Sequence, residues 1–283
     1  MIVVRTVAEF RAARDGLLKP GGTLGLVPTM GYLHQGHRSL MRMARAECEA
    51  VAVTIFVNPT QFGPNDDFTR YPRDEARDLE ACGAEGVDIV LAPSVEEIYS
   101  EGACTTVSVG PLSRVLEGAA RPGHFDGVAT VVSKLFTIAG PCRAYFGQKD
   151  AQQLMVIKRL GRDLLFPVEV IGCPIIREPD GLAMSSRNVY LSPEERTQAL
   201  GISRGLRRAE TAWADGVRDA EALRTLVRAE IEAQPLARVE YISLAETDTL
   251  SEVEGPVAPP VLISVAVRFS GARLIDNVVL GSG

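Results

Sequence analysis

Residues 24–57 constrain the architecture more tightly than any other stretch of the chain. Leu24, Leu26 and Val27 form a short apolar run of the kind that makes a buried parallel strand, and Pro28, which cannot donate to a ladder, predicts its end. Gly31 and Gly36 permit a tight turn that approaches a ligand closely. From His37 onward Leu40, Met43, Ala44 and Glu47 recur at helical spacing, and residues 51–57, VAVTIFV, read as a strand buried on both faces. Strand, glycine turn, helix and strand make one βαβ unit.

The alternation continues. Residues 73–82 read as a helix, 87–91 as a strand, 105–109 as extended and 111–118 as a brief helix. Residues 128–139 are apolar almost all round, which predicts burial, partly against a second subunit. A strand at 143–146 runs into Gly147-Gln148-Lys149-Asp150, and 168–173 and 174–177 extend the series. Such alternation calls for an α/β fold with a doubly wound, Rossmann-like parallel sheet and ligands at the carboxyl ends of its strands. From Ser192 the texture changes: Ser192-Pro193-Glu194-Glu195 is a helix start, helices are expected over 193–213 and 220–233, and strands over 239–244, 261–267 and 273–278. That predicts a smaller C-terminal α+β domain, with the division drawn as 1–186 and 187–283.

His34 and His37 stand where the first strand hands over to its helix. A helix start presents unpaired N–H groups and the positive end of the macrodipole, a site for a phosphate. Either histidine alone would be read first as an ordinary surface or capping residue. Two of the chain's three, three apart beside two glycines, point to phosphate.

Composition narrows the partners. Of 283 residues 46% are hydrophobic and 23% charged, ordinary for a soluble globular protein, and a net charge of -6 argues against a nucleic-acid footprint. Five widely spaced cysteines without a C-x-x-C pair indicate neither zinc nor a disulfide framework, so a cytoplasmic protein is expected. No signal core or membrane-spanning run is present, and no membrane partner is expected. The loop 58–72 is too long for an idle connection and reads as a lid.

Residues 28–37, PTMGYLHQGH, resemble the HxGH signature of the pantothenate synthetases (pantoate–β-alanine ligases), nucleotidyltransferases related to class I aminoacyl-tRNA synthetases. The likeness extends through Phe56-Val57-Asn58-Pro59-Thr60-Gln61-Phe62, Arg121, His124-Phe125-Asp126-Gly127-Val128, residues 146–153 (FGQKDAQQ) and 177–188 (REPDGLAMSSRN), in family order over residues 24–192. It implies ATP-dependent condensation of pantoate with β-alanine through a pantoyl-adenylate, in pantothenate and coenzyme A biosynthesis. The homodimer is expected from the resemblance alone.

On that reading His34, His37, Lys149 and Arg187 are the candidate catalytic cations and donors. ATP is expected along Met30, Gly31, Tyr32, Leu33, His34, Gln35, Gly36 and His37, at Gly147, Gln148, Lys149 and Asp150, and at Ile176, Met184, Ser185, Ser186 and Arg187, with the C-terminal domain closing over it. Gln61 and Gln153, neutral amides, would orient pantoate, with Asn58 and Arg121 in the same pocket. Mg2+ would accompany the phosphates, held by Asp78 or Asp150. Residues 63–77 resemble the family's flexible gate. The competing readings are another adenylyl- or cytidylyltransferase and a nucleotide-binding regulator without turnover.

Overall fold

The computed structural model describes residues 1–63, 68 and 71–281. They form two compact units, Met1–Gly147 with Gln153–Pro174, and Gln148–Gln152 with Ile175–Gly283, a division earlier than the expected 186/187 and one that assigns an internal segment to the second unit. No helix among the described residues is long and apolar enough to cross a membrane.

In the first unit the elements run β1 (Ile2–Val4), α1 (Val7–Leu17), β2 (Leu24–Thr29), α2 (Gln35–Glu47), β3 (Ala50–Ile55), α3 (Glu75–Ala84), β4 (Ile89–Leu91), α4 (Val95–Ile98), α5 (Glu117–Ala120), α6 (His124–Ala139), β5 (Cys142–Gly147), α7 (Ala151–Asp163) and β6 (Val168–Cys173). The six strands form one parallel sheet in the order β1-β4-β3-β2-β5-β6. The order reverses at β2 and β5, so the switch point of the doubly wound sheet lies between the carboxyl ends of these two strands. β2 outruns Pro28 by one residue: its pairing with β5 ends at Leu26 opposite Ala144, so the proline stands where only β3 flanks the strand. The three-residue β1 is too short to give a periodic signal.

The apolar surface of α6 is covered by its own chain, which corrects the expected second-subunit contact. Phe136 packs edge-on to Phe146 and Phe166, with ring centroids 6.4 and 5.6 Å away. Arg14 Nη1 donates to the carbonyls of Ile138 and Ala139 at 3.2 and 2.9 Å, satisfying acceptors that the end of the helix leaves open. Residues 105–109 join no sheet among the described residues, and the helix expected over 111–118 is a short 3-10 turn (Gly110–Ser113) followed by α5. Buried thiols here behave as small hydrophobes: burial pushes Cys82 and Cys142 up to about 12 and Cys173 to about 11. Of the loop 63–77 expected to be a gate, residues 64–67, 69 and 70 lie outside the described residues. At its edges Phe62 meets Phe68 and Tyr71 edge-on.

The second unit carries α8 (Pro193–Gln198), α9 (Leu200–Ala214), α10 (Ala220–Glu232), β7 (Arg238–Glu246), β8 (Val261–Arg268) and β9 (Arg273–Leu280). The strands form an antiparallel sheet in the order β7-β8-β9, and Ile202, Leu206, Leu223, Val227, Ile263 and Val265 lie in its core. The single helix expected over 193–213 breaks at Ala199, and 174–177 makes only an isolated bridge, Arg177 to Ala183.

Glu195 ties α8 to the hairpin beyond β8. Its carboxylate accepts from Ser192 N (2.9 Å), from Ser270 Oγ (2.6 Å) and from Ser270 N (2.8 Å), while Ser192 Oγ accepts from Glu195 N (3.2 Å). The Ser270 hydroxyl and the Ser192 N–H hold the carboxyl well below its usual range, at about 2. A depressed native value means stability that is present above the unfolded pKa and lost as the pH falls through the native one. Glu195→Gln is therefore expected to lower the thermal midpoint at pH 7, with the gap to the native protein closing as the pH drops from the ordinary glutamate range towards about 2. A gap that stays constant over that window would show that the carboxylate charge contributes nothing.

Candidate active site

β2 ends at the switch point, and the turn after it is built on one carboxylate. Thr29 Oγ1 donates to Thr54 O at 2.7 Å and accepts from Gly31 N at 3.1 Å. Gly31 (φ 79°) and Tyr32 (φ 51°) are both left-handed, a conformation that costs a tyrosine on the order of 1–3 kcal/mol. Asp78, on α3 and only 1% exposed, holds it there: its two oxygens accept from Tyr32 N and Leu33 N at 2.8 and 2.7 Å. Burial pushes this carboxyl above its usual range, against the two backbone hydrogen bonds that pull it down. A Cβ at Gly31 would stand 2.8 Å from Asp78 Oδ2, so glycine is required for space as well as for φ.

Helix α2 begins two residues before His37, and the histidine signature turns out to be its cap. His34 is the N-cap residue: its Nδ1 accepts from Gly36 N at 3.1 Å, and its own N–H donates to His37 Nδ1 at 3.3 Å. This is the reciprocal arrangement that Ser/Thr and Glu usually make, here with imidazole in both roles. Gly36 is needed because a Cβ would lie 2.8 Å from His34 Cε1. Since both Nδ1 atoms accept backbone N–H groups, the ring protons are assigned to Nε2. The rings lie 4.1 Å apart between centroids. Both rings thus stand at the positive end of a helix with Nδ1 engaged by a backbone N–H.

Four other predicted or motif residues of the first unit come together at the 3-10 turn Pro59–Gln61, packed beside α6. Asn58 is 1% exposed: its Nδ2 donates to Gln61 Oε1 (3.1 Å) and Gly127 O (3.2 Å), and its Oδ1 accepts from Tyr99 OH (2.8 Å) and Thr60 Oγ1 (3.0 Å). Asn58 therefore sets the orientation of the Gln61 amide, whose Nε2 lies 3.1 Å from Met30 Sδ. Arg121 donates to Gln61 O at 3.4 Å, and His124 Nδ1 meets the same oxygen at 2.8 Å while its Nε2 faces Arg121 Nη1 at 3.2 Å. His124 and Tyr99 receive no role from the sequence, although His124 lies inside one of its recognisable blocks. Gln153 is half-buried in the first turns of α7.

In the second unit, Gln148–Asp150 is a 3-10 turn in which Lys149 Nζ lies 3.5 Å from Asp150 Oδ1. Residues 176–184 fold back on themselves through Met184 N to Ile176 O (2.9 Å) and Glu178 N to Leu182 O (2.8 Å). Ser185 then caps the 3-10 helix Ser186–Tyr190, its hydroxyl accepting from Arg187 N at 3.2 Å. The Arg187 side chain at the start of that helix is half-buried.

Among the described residues no group of three or more His, Cys, Asp or Glu is suited to a metal, and Asp78 is committed to the 31–33 turn. This gives Asp78 a structural place and argues against the magnesium role expected of it. Asp78→Ala leaves a buried and a half-buried N–H group without their acceptor and is expected to lower stability by about 2–4 kcal/mol in urea denaturation. The Mg2+ concentration for half-maximal rate should stay unchanged; a marked rise in that concentration would restore the metal assignment.

The pantoate-beta-alanine ligase family model matches residues 2–279. A pantothenate synthetase of Roseiflexus sp. (strain RS-1) is 60% identical over 99% of both chains. Among solved structures, a pantothenate synthetase of Thermus thermophilus superposes with a TM-score of 0.92 at 50% identity, covering 98% of this chain and 99% of its own. A pantoate-beta-alanine ligase of Francisella tularensis, in complex with beta-gamma ATP and beta-alanine, does so with 0.80 at 35% identity, covering 100% and 99%. With a turn capped by paired histidines at the switch point of its sheet and this likeness along its whole length, the chain belongs to the pantoate-beta-alanine ligase family.

Proposed function

We propose that this chain condenses pantoate with β-alanine in two steps: the pantoate carboxylate attacks the α-phosphorus of ATP and expels pyrophosphate, then the β-alanine amine attacks the acyl carbon and expels AMP. The observation that carries this reading is the pair of imidazoles that cap the start of α2 at the carboxyl end of β2, each accepting a backbone N–H at Nδ1 where the helix end favours a phosphate. ATP lies along 30–37, 147–150 and the residues Ile176, Met184, Ser185, Ser186 and Arg187. Gln61, its carbonyl engaged by Asn58, offers amide N–H to pantoate, with Gln153 as the second amide. Asn58 and Arg121 serve by positioning Gln61. Lys149 and Arg187 neutralise the charge that the first step develops on three phosphates. Magnesium enters with the nucleotide as part of the substrate, and no resident metal is invoked.

A cytoplasmic setting belongs to the same proposal, supported by five free cysteines, four of them buried. So does a homodimer, for which the support is the edge position of β6 and the exposed Leu164 and Leu165 before it.

Incubation with ATP, pantoate and β-alanine should release AMP only when all three are present. His37→Ala is expected to slow adenylate formation by about 100-fold in a folded protein. Lys149→Ala and Arg187→Ala should lose pantoate-dependent exchange of labelled pyrophosphate into ATP, yet still convert supplied pantoyl-adenylate and β-alanine to pantothenate. Intact exchange with lost conversion would place both cations on the wrong half of the reaction.

A further inference from the structure

The backbone at Lys149 is fixed by a residue that comes from the far end of the sequence. Asn277, on the edge strand β9 and 2% exposed, donates through Nδ2 to the carbonyls of Gln148 and Lys149 at 2.9 and 2.8 Å. Its Oδ1 accepts from Gln148 Nε2 at 3.3 Å. One buried amide therefore holds two consecutive carbonyls and the Gln148 side chain, an arrangement in which every polar atom of the Asn277 side chain is engaged.

Its neighbour does the equivalent on the opposite face of the strand. Asp276, 3% exposed, grips Arg177 through two hydrogen bonds, Nη1 to Oδ2 at 2.6 Å and Nη2 to Oδ1 at 3.1 Å. Arg177 in turn donates to Gly181 O at 3.2 Å, inside the fold-back that leads to Ser185, Ser186 and Arg187. The Asn277 N–H donates to Asp276 Oδ1 at 2.8 Å, which links the two grips directly.

We propose that Asp276 and Asn277 are positioning residues for the adenylation step, holding the backbone under Lys149 and the fold-back that presents Arg187. The proposal rests on the phosphate roles given above to Lys149 and Arg187. Neither Asp276 nor Asn277 is assigned a contact with substrate; they act through the residues they hold. A tight backbone is what the task demands, because a lysine that must meet a transferring phosphate loses efficiency steeply with displacement.

The test uses the full-length protein with Asn277→Asp, which keeps the side chain's size but replaces the two-carbonyl donor with an acceptor, and Asn277→Leu, which removes all polar contacts. Ser264→Ala is the control: Ser264 is the registered partner of Asn277 on β8, and its buried hydroxyl has no hydrogen-bond partner among the described residues. Both Asn277 variants and Asp276→Ala are expected to lower the kcat of pyrophosphate exchange by about 10- to 100-fold. The KM for pantoate and the conversion of supplied pantoyl-adenylate should stay close to native, and Ser264→Ala should match the native protein throughout. Added to Lys149→Ala, the Asn277 substitutions should produce no further loss of exchange.

Equal loss of exchange and conversion, or losses that multiply with that of Lys149→Ala, would overturn the positioning role and leave a structural one. If Lys149→Ala itself retains exchange, the reading of Lys149 fails, whatever the Asn277 variants do. Should neither Asn277 variant fold, Asp276→Asn, which loosens the grip on Arg177 while keeping the side chain's size, is judged by the same split: loss of exchange alone supports the proposal, and equal loss or none overturns it.

Discussion

The 31–33 turn exists because a carboxylate is buried under it. Tyr32 and Leu33 turn their N–H groups away from any strand or helix partner, and without an acceptor there a left-handed tyrosine would relax to an ordinary conformation. Asp78 supplies both acceptors from a different helix, and Gly31 leaves it the room. Everything downstream follows in sequence: the turn aims the chain so that His34 arrives as the cap of α2, and the cap then aims the imidazoles. The carboxyl that sequence position suggested for a metal is thus a foundation stone of the site.

Capping also decides how the histidines can act. An imidazole that accepts a backbone N–H at Nδ1 has its tautomer chosen for it, with the ring proton on Nε2. Such a pair stands in the field of the helix end. The permanent charges lie in Lys149 and Arg187, on two other turns.

Much of this is legible before any coordinates. The β-branched run 51–57, the glycine-flanked histidines and the Ser192-Pro193 helix start each follow from short-range physics, and the parallel sheet and a small C-terminal sheet follow from their order, while the antiparallel pairing of the latter is seen only in the structure. Family blocks locate Gln61, Lys149 and Arg187. What stays hidden depends on partners far apart in sequence. Asp78 resembles any acid on a helix until Tyr32 and Leu33 are seen to lean on it, and Asn58, which reads as a pocket residue, is buried under Gln61. Asn277 lies in a strand whose motif content is nil, and only its two carbonyl bonds across more than a hundred residues reveal it. β1 escapes the sequence because three residues carry no periodicity, and aromatic rings from the same chain take the place of the second subunit expected on α6.

The contact between the His34 ring and Gly36 ties two positions of the signature together as variables. A side chain at 36 is excluded only while an imidazole caps from 34, because the atoms it would strike are Cε1 and Nδ1 of that ring. A compact hydroxyl cap such as threonine could accept the same N–H without covering residue 36. On packing alone the two positions are therefore coupled in one direction: the cap at 34 can change while the glycine stays, whereas the glycine can change only after the imidazole at 34 has gone.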